Sequence, residues 1–421
     1  MKFAVAAFLL SVSPAMAAET YVTAARMFDP ETGKVIENAA VLLDGAVIID
    51  SGAQSNVAAP KDARIIDLGS KILLPGLIDM HTHLLGDVTL GGYNSLSETR
   101  ESAAIWGVVN AAKTLAAGFT TVRNVGADHY SDVALRDAIN AGVVPGPRMF
   151  VSGPPVSIIG GHCSDNNLLP ADFHDYGEGV ATGPWEMRSK VRTNIKYGVD
   201  LIKTCSTGGV FSKGTQPGAE QNTVEELSAI VAEAHQRGLK VASHAHGNAG
   251  IKNALKAGVD TIEHASYLDK EAINMAKARG AYFVMDIYNT EYTQSEGRKN
   301  GELEESLRKD AEIAEIQRES FRAAVKAKAK VLYGTDSGVY PHGDNAKQFF
   351  WMVKYGMTPK EAIRSATTLA AEALGKTGEL GCLAKGCAAD IIAVDGDPLG
   401  DVTVLENIPF VMKAGEIFKQ E

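Results

Sequence analysis

Short hydrophobic runs alternate with longer amphipathic stretches between residues 73 and 374, and the two patterns predict strands and helices respectively. Eight strands are predicted, at residues 73–84, 119–126, 148–154, 200–209, 239–247, 260–266, 281–288 and 329–338. Helices are predicted after nearly all of them, at residues 97–117, 131–141, 186–197, 223–237, 248–257, 270–279, 302–328 and 358–374. This repeated strand–helix order predicts an α/β fold of the (β/α)8 TIM barrel type, here over residues 73–382.

The two ends of the chain follow a different pattern, in which short strand-like runs are separated by turns. Residues 18–72 contain Asp44-Gly45 between two apolar runs, which is a strong hairpin signal. Residues 383–421 return to short strands with Asp-Gly or Gly turns. We therefore expect the two end segments to form one small β-sandwich beside the barrel.

Residues 1–17 have the pattern of a secretory signal peptide. Lys2 precedes an apolar run at residues 3–12, and Ala15-Met16-Ala17 fits a cleavage site. A buried N-terminal helix is the alternative. No later apolar stretch reaches the roughly 18 residues that span a membrane, so we expect an exported protein, periplasmic or secreted, that is soluble after signal removal.

Charge and cysteine content narrow the classes of function. The 421 residues include 41 basic and 51 acidic side chains, and this balance argues against a nucleic-acid partner because phosphate binding needs a basic surface. Four cysteines are too few for a disulfide scaffold. Cys163 with Cys205 and Cys382 with Cys387 are candidate bridges, although either pair can stay reduced. The sequence leaves a homo-oligomer open.

Residues that can bind metal ions collect at the ends of the predicted strands, where the catalytic groups of a (β/α)8 barrel lie. Side chains two apart on a strand share a face, so His81 and His83 would project together. Five of the ten histidines fall on three such strand ends, which is unlike a chance distribution. The full set is His81, His83, Lys203, His244, His246, His264 and Asp336.

Five motifs and a closing segment together resemble the amidohydrolase superfamily. They read PGLIDMHTH, IKTCSTGG, SHAHG, IEHAS, YGTDSG and, near the end, AADIIAVDGDPL. Within that superfamily the chain resembles the branch of binuclear metal-dependent dipeptidases and carboxypeptidases that includes Xaa-Pro dipeptidase-like and ochratoxin-hydrolysing enzymes. The resemblance covers essentially the whole mature chain.

The resemblance implies two divalent metal ions. Lys203 would be carbamylated by carbon dioxide and bridge both ions, because an unmodified lysine has no lone pair to donate. A water shared by the ions would supply hydroxide near neutral pH, and Asp336 would take its proton and pass it to the leaving amine. Zinc fits these N and O ligands best, although manganese or cobalt is also allowed. The implied ligands are His81, His83 and Asp336 for a buried ion, and His244 and His264 for a more exposed one.

Several of these residues have alternative roles. Lys203 can instead form a salt bridge with a barrel carboxylate, and Asp336 can cap the helix after the eighth strand. His246 shares a face with His244. It is therefore either the ligand in place of His244 or part of the substrate pocket.

Fewer residues point to the substrate. Arg123, at the end of the second strand, is the first candidate to bind a substrate carboxylate. The alternative is that it pairs with an acid inside the barrel. Related sequences often have an acid at the next position, whereas this chain has Asn124, so the orientation of Arg123 is not fixed by the resemblance. His162 and His342 are placed to contact substrate or to lie in surface loops. Tyr288 can hydrogen-bond the tetrahedral intermediate or simply pack.

The sequence thus predicts an exported binuclear amidohydrolase that cleaves the amide of a dipeptide or N-acyl amino acid with a free C-terminal carboxylate, with Xaa-Pro dipeptides and ochratoxin-like amides of phenylalanine as examples. The alternatives are a deaminase, lactonase or cyclic-amide hydrolase of the same superfamily, or a non-catalytic periplasmic metal-binding protein. Lys203 argues against a mononuclear site. The long irregular segment at residues 155–185 is typical of a lid or binding loop and would set the side-chain preference.

Overall fold

The computed structural model describes residues 19–163, 167–173 and 176–421. The predicted signal peptide at residues 1–17 lies outside these ranges. Within them, no helix combines the length and the apolar character needed to cross a membrane.

Parallel strands and helices alternate through the middle of the chain, which confirms the predicted α/β fold. Numbered after the five strands of the N-terminal segment, these strands are β6 (Leu77–Thr82), β7 (Phe119–Asn124), β8 (Arg148–Val151), β9 (Leu201–Cys205), β10 (Lys240–Ala245), β11 (Thr261–His264), β12 (Tyr282–Met285) and β13 (Val331–Tyr333). Three of them form one parallel sheet in the order β6-β7-β8, and the other five form a second one in the order β9-β10-β11-β12-β13.

The two parallel sheets touch at both of their edges. Val156, just after β8, forms a parallel bridge with Thr204 on β9. At the other junction Thr82 on β6 forms a parallel bridge with Ser337, and the His83 amide donates to the Ser337 carbonyl at 2.7 Å. The carboxyl ends of all eight strands therefore meet around one region.

Eleven α-helices occur among the described residues, and most begin or end at residues that the sequence marks. Thr223 and Glu226 match the Thr-x-x-Glu pattern of a capping box, and they form one at the start of the helix predicted at 223–237. The predicted helix at 358–374 is in fact two helices, because the backbone leaves the helical region at Thr367, with φ −140° and ψ −103°. The helices are α1 (Arg100–Ala116), α2 (Ser131–Asn140), α3 (Gly183–Lys196), α4 (Val224–His235), α5 (Asn248–Ala257), α6 (Lys270–Arg279), α7 (Asn289–Asn300), α8 (Glu304–Lys326), α9 (Lys347–Lys354), α10 (Pro359–Ser365) and α11 (Thr368–Leu374).

The two ends of the chain share one mixed sheet of eight strands. The hairpin predicted at Asp44-Gly45 is present: Asp44 pairs with Val47, and the turn between them contains Gly45, at φ +54°. The segment Ile72–Pro75 belongs to this sheet, where it pairs with Ile391–Val394, so the first parallel strand starts only at Leu77. The strands are β1 (Thr20–Phe28), β2 (Val35–Asp44), β3 (Val47–Ala53), β4 (Arg64–Asp67), β5 (Ile72–Pro75), β14 (Ile391–Val394), β15 (Phe410–Lys413) and β16 (Glu416–Gln420).

Separate cores support the two parts. The larger cluster of buried apolar side chains packs the helices against the parallel strands, and a second one fills the end sheet. Two disulfides are present. Cys382–Cys387 closes a short loop before β14, and Cys163–Cys205 ties the long segment after β8 to β9.

Candidate active site

The carboxyl ends of the parallel strands surround a cavity of about 590 Å³. Most of the residues that the sequence singles out as metal-capable come from β6, β9, β10 and β11 or from the positions directly after them. Asp336 follows β13 by three residues. All of the predicted metal-capable residues line the cavity, and so does His162, which was predicted to contact substrate; the metal-capable residues are His81, His83, Lys203, His244, His246, His264 and Asp336.

One cluster consists of His81, His83 and Asp336. The Oδ1 atom of Asp336 lies 3.3 Å from Nε2 of His81 and 3.4 Å from Nε2 of His83. Burial by itself would raise the pKa of Asp336, but the neighbouring His81 and the other imidazoles hold that pKa well below its usual range. Burial lowers the pKa of His83 to about 3, which favours its neutral, lone-pair-donating form.

A second cluster consists of His244, His246 and His264, whose ligand-capable atoms lie within 4.8 Å of one another. Burial holds the pKa values of His244 and His246 well below the ordinary histidine value. Nε2 of His244 lies 3.1 Å from the Gly208 carbonyl, and Nδ1 of His246 lies 2.7 Å from the Ser266 hydroxyl. Each ring therefore keeps one nitrogen for the cavity.

The two clusters are continuous with each other. His264, Asp286 and Asp336 also offer ligand atoms within 4.8 Å of one another, and the rings of His81 and His264 are 4.9 Å apart. The backbones of His264 and Asp336 adopt φ +67° and φ +56°, in the left-handed region that L residues rarely occupy. Such a conformation costs about 1–3 kcal/mol per residue and is concentrated at functional sites.

Two carboxylates behind the histidines were not singled out from the sequence. Glu263 Oε2 lies 2.8 Å from Nδ1 of His81, and Asp286 Oδ1 lies 2.8 Å from Nδ1 of His264. A carboxylate on one ring nitrogen fixes the orientation of the imidazole and aims the other nitrogen at a ligand position. Glu263 precedes His264 at the end of β11, and Asp286 directly follows β12. Their positions at strand ends are the feature by which they could have been recognised in the sequence.

Lys203 projects into the same cavity from β9. The residue is buried, with 2% exposure, and no ion pair of Lys203 is found in the described part of the chain. The alternative of a salt bridge with a barrel carboxylate is therefore not what the structure shows. Burial lowers the pKa of the Lys203 amine to about 8.

The structure contradicts the expectation that Arg123 binds substrate, because its guanidinium is buried and does not line the cavity. It donates to both oxygens of Glu263, at 2.7 and 2.8 Å, and to the Met80 carbonyl at 2.6 Å. The alternative, an ion pair with an acid inside the barrel, is the arrangement observed. Together with His81, Arg123 holds the pKa of Glu263 below its usual range against the effect of burial.

Tyr288 and His342 also lie away from the cavity lining. The ring of Tyr288 packs edge-on against Tyr340, with 4.9 Å between ring centres. His342 is buried behind the site, where its Nε2 atom lies 3.1 Å from the His83 carbonyl. The expected substrate contacts of Tyr288 and His342 are therefore corrected: in this structure the former packs and the latter supports the backbone of His83.

His162 is the predicted substrate residue that does face the cavity. Its ring lies 4.1 Å from that of His244, and its Nδ1 atom is 2.9 Å from the Ser212 hydroxyl. The adjacent disulfide of Cys163 ties this part of the long segment to β9. The cysteines are oxidised, so they do not add thiolates to the donor set.

The donor set fits divalent metal ions. Oδ1 of Asp336 lies 3.3 Å from Nε2 of His81 and 3.4 Å from Nε2 of His83, and at such spacings lone pairs repel unless a cation or proton lies between them. Neutral imidazoles and carboxylates are the ligands that zinc and related ions take in proteins. The carboxylates Glu263 and Asp286 complete the support that such sites have.

Comparisons with known proteins agree with this chemistry. Residues 72–418 match the model of the amidohydrolase family. Ochratoxinase from Aspergillus niger is 32% identical over 93% of this chain and 85% of its own length. A crystal structure of a Xaa-Pro dipeptidase with methionine bound in its active site superposes with a TM-score of 0.90 at 37% identity, covering 96% of this chain and 100% of the other. A prolidase complexed with N-methylphosphonate-L-proline superposes with a TM-score of 0.87 at 30% identity, with the same coverage of each chain. The chain belongs to the amidohydrolase family and is a hydrolase.

Proposed function

We propose that this enzyme hydrolyses the amide bond of dipeptides or N-acyl amino acids that carry a free C-terminal carboxylate. The observation that carries the proposal is the continuous set of His, Lys and Asp side chains around one cavity at the strand ends. The names of the similar proteins, a Xaa-Pro dipeptidase, a prolidase and an ochratoxinase, support an amide as the scissile bond. Xaa-Pro dipeptides and amides of phenylalanine are therefore the first substrates to test.

The same residues would hold two divalent metal ions, for which zinc is the best match to the ligands. Bound there, the ions would acidify a water molecule and polarise the substrate carbonyl. We propose that the neutral amine of Lys203 adds to carbon dioxide, forming an N–C bond and releasing one proton to water. The carbamate oxygens would then be ligands for both ions, a role supported by the burial of Lys203 without an ionic partner among the described residues. The proposed ligands are His81, His83 and Asp336 for one ion, His244 and His264 for the other, and Lys203 for both.

The remaining chemistry belongs to the protein's own groups. The neighbouring imidazoles favour the ionised form of Asp336. With Oδ1 turned to the metal position, its other carboxylate oxygen would be free to take a proton and return it to the leaving amine. His246, anchored by the Ser266 hydroxyl, directs its other nitrogen into the cavity and can donate to the substrate. Glu263 and Asp286 hold His81 and His264 in one orientation throughout.

We also propose that the eight parallel strands form a closed (β/α)8 barrel over residues 73–382. The parallel bridges at both junctions, Val156–Thr204 and Thr82–Ser337, support closure. The end segments 18–72 and 383–421 would form the accompanying β-sandwich, which the bridge between Val47 and Ala388 supports.

Export to the periplasm or the medium completes the proposal. The charged, apolar and small-residue pattern of residues 1–17 supports it. The two disulfides are consistent with an oxidising compartment, where such bonds persist.

The test is hydrolysis of a panel of dipeptides and N-acyl amino acids by the zinc-loaded mature protein, with Pro, Phe, Leu, Arg and Asp in the C-terminal position. Lys203→Ala is run beside it, and Lys240→Ala, which removes an exposed lysine from the neighbouring strand, is the matched control. We expect turnover by the wild type and by Lys240→Ala only. Turnover of lactones or cyclic amides without any dipeptide activity would overturn the proposed substrate class.

A further inference from the structure

Three side chains outside the proposed binuclear set come together at the wall of the cavity. They are His162, Cys163 and Cys205, whose ligand-capable atoms lie within 4.8 Å of one another. His162 and Cys163 line the cavity. Cys205 comes two residues after Lys203 on β9 and therefore shares its face of the strand. The proposed hydrolysis gives neither cysteine a chemical role.

The two cysteines are joined in a disulfide that a reductant can reach from the cavity. Cys163 is partly exposed, whereas Cys205 is fully buried. One thiolate of a dithiol reductant attacks Sγ of Cys163, and Cys205 leaves as a thiolate that takes up a proton. The second thiol of the reductant then breaks the mixed disulfide. The reductant ends as a disulfide, and the protein has gained two electrons and two protons.

The backbones of His162 and Cys205 have a second link besides the disulfide. Oε1 of Gln221 accepts from the His162 amide, and Nε2 of Gln221 donates to the Cys205 carbonyl at 3.2 Å. The Ser157 hydroxyl donates to the His162 carbonyl at 2.6 Å. The Ser212 hydroxyl lies 2.9 Å from Nδ1 of His162 and fixes the orientation of the ring. Opening the disulfide therefore loosens the segment but leaves the three donors within reach of one another.

The spacing of the three donors suits one tetrahedral metal ion. Zinc bonds of roughly 2.3 Å to sulfur and 2.0 Å to nitrogen place the ligand atoms roughly 3.3–3.8 Å apart, which the 4.8 Å limit contains. The Cα atoms of Cys163 and Cys205 are 6.2 Å apart, so both sulfurs can bind one ion without a large change in the backbone. A fourth position would face the cavity, where water can fill it.

We propose that the reduced enzyme binds an additional thiophilic metal ion, such as zinc, through His162, Cys163 and Cys205. Two thiolates and one imidazole are ligands that zinc prefers in proteins. A divalent ion displaces one proton from each thiol to water, so the occupied site is neutral. It can therefore lie beside His244, whose ring is 4.1 Å from that of His162, without repelling an ion held there. The disulfide excludes the additional ion, and reduction admits it.

The second disulfide provides a comparison within the same chain. Among the residues that the structure describes, no group of three ligand-capable side chains includes Cys382 or Cys387. Reduction of that bridge releases two thiols without an imidazole beside them. If thiols alone were enough to hold an ion, both bridges would give the same result.

The test measures Co²⁺ binding to the purified protein in its oxidised form and after reduction by a dithiol that is removed before the titration. Co²⁺ is the probe because its bonds to thiolate sulfur produce a near-ultraviolet charge-transfer absorption that imidazole and carboxylate ligands do not. The variants are His162→Ala and the double variants Cys163→Ser/Cys205→Ser and Cys382→Ser/Cys387→Ser. The last is the matched control, since reduction then opens only the bridge beside the cavity.

We expect reduction to add about one Co²⁺ per chain, with the thiolate absorption, in the wild type and in the matched control. Cys163→Ser/Cys205→Ser should show neither the additional ion nor the absorption. His162→Ala retains both cysteines and so can form the bridge when oxidised. After reduction it should bind the additional ion at least about tenfold more weakly than the wild type.

Equal Co²⁺ content in the oxidised and reduced wild type would overturn the inference. So would thiolate absorption that is lost in Cys382→Ser/Cys387→Ser, or an affinity for the additional ion that His162→Ala leaves unchanged. The readout is a difference between two redox states of one protein and needs no substrate. Failure of the proposed function appears separately, as absence of dipeptide hydrolysis by the oxidised, zinc-loaded enzyme.

Discussion

The Oε2 atom of Glu263 lies 2.8 Å from Nδ1 of His81, deep below the cavity. The same carboxylate receives two hydrogen bonds from the buried guanidinium of Arg123. One acid therefore orients a proposed metal ligand and neutralises a buried cation. A substitution of Glu263 should therefore affect both the proposed metal site and the stability of the fold.

Replacement of Glu263 by glutamine should weaken both functions. The His81 ring loses its charged partner, so metal affinity should fall roughly 10- to 100-fold. The charge of Arg123 loses its counter-ion, which should lower the free energy of unfolding by about 3–5 kcal/mol. Metal titration and denaturant unfolding measure the two effects. The control is Glu225→Gln, at an exposed position in the first turn of α4, which should change neither the metal affinity nor the free energy of unfolding. Unaltered metal affinity in Glu263→Gln would refute the proposal that Glu263 orients His81.

Arg123→Lys separates a structural role from substrate binding. Lysine keeps the charge but cannot reproduce the paired contacts to Glu263, so the free energy of unfolding should fall by about 1–3 kcal/mol. The KM for a dipeptide should stay close to the wild-type value, because Arg123 does not line the cavity. A large rise in KM without loss of stability would restore Arg123 as the site of the substrate carboxylate.

Asp336→Asn should abolish proton transfer without disturbing the fold. Asparagine tolerates the left-handed backbone at this position, φ +56°, so the unfolding midpoint should change little. Because an amide cannot accept the proton, kcat should fall about 10²- to 10⁴-fold. Metal content is measured in parallel, and Asp344→Asn, at a partly exposed carboxylate paired with Lys347, is the control. Activity near the wild-type level would exclude Asp336 as the proton carrier.

The two disulfides should differ in what their removal changes. Cys163–Cys205 spans 42 residues and Cys382–Cys387 spans 5, so chain entropy predicts stabilisation of about 4 and about 2 kcal/mol respectively. Cys163→Ser should also raise KM, because it releases the segment that holds His162 against His244. Cys382→Ser should leave KM unchanged. Equal KM values for both variants would mean that the bridge at Cys163 does not position the cavity wall.

The local features of the fold could be predicted from sequence because they depend on nearby residues. The capping box of Thr223 and Glu226 and the hairpin at Asp44-Gly45 are examples. The boundary at Pro75 between the end sheet and the first parallel strand could not be predicted. It arises because Ile72–Pro75 pairs with Ile391–Val394, more than 300 residues away along the chain. Helix α7 was not predicted either, because it is polar and lacks the apolar face by which a helix is recognised in a sequence.

In the site, too, features set by local sequence could be predicted, and features set by long-range contacts could not. The histidines at strand ends were recognisable because strand direction alone places them in one region. The pairing of Arg123 with Glu263 depends on contact across the interior between β7 and β11, which no local pattern encodes. The positions of Tyr288 and His342 depend likewise on the packing of Tyr340 and on the backbone of His83.

The metal content of the purified wild type and of Lys203→Ala, measured by elemental analysis with dipeptide turnover in the same samples, tests the central claim most directly. The proposal predicts about two divalent ions per chain in the wild type and fewer in the variant, with turnover lost in parallel. It also predicts that a short carboxylic acid added to Lys203→Ala restores part of the activity, because it can take the place of the carbamate. Full metal content and full turnover in Lys203→Ala would contradict the account.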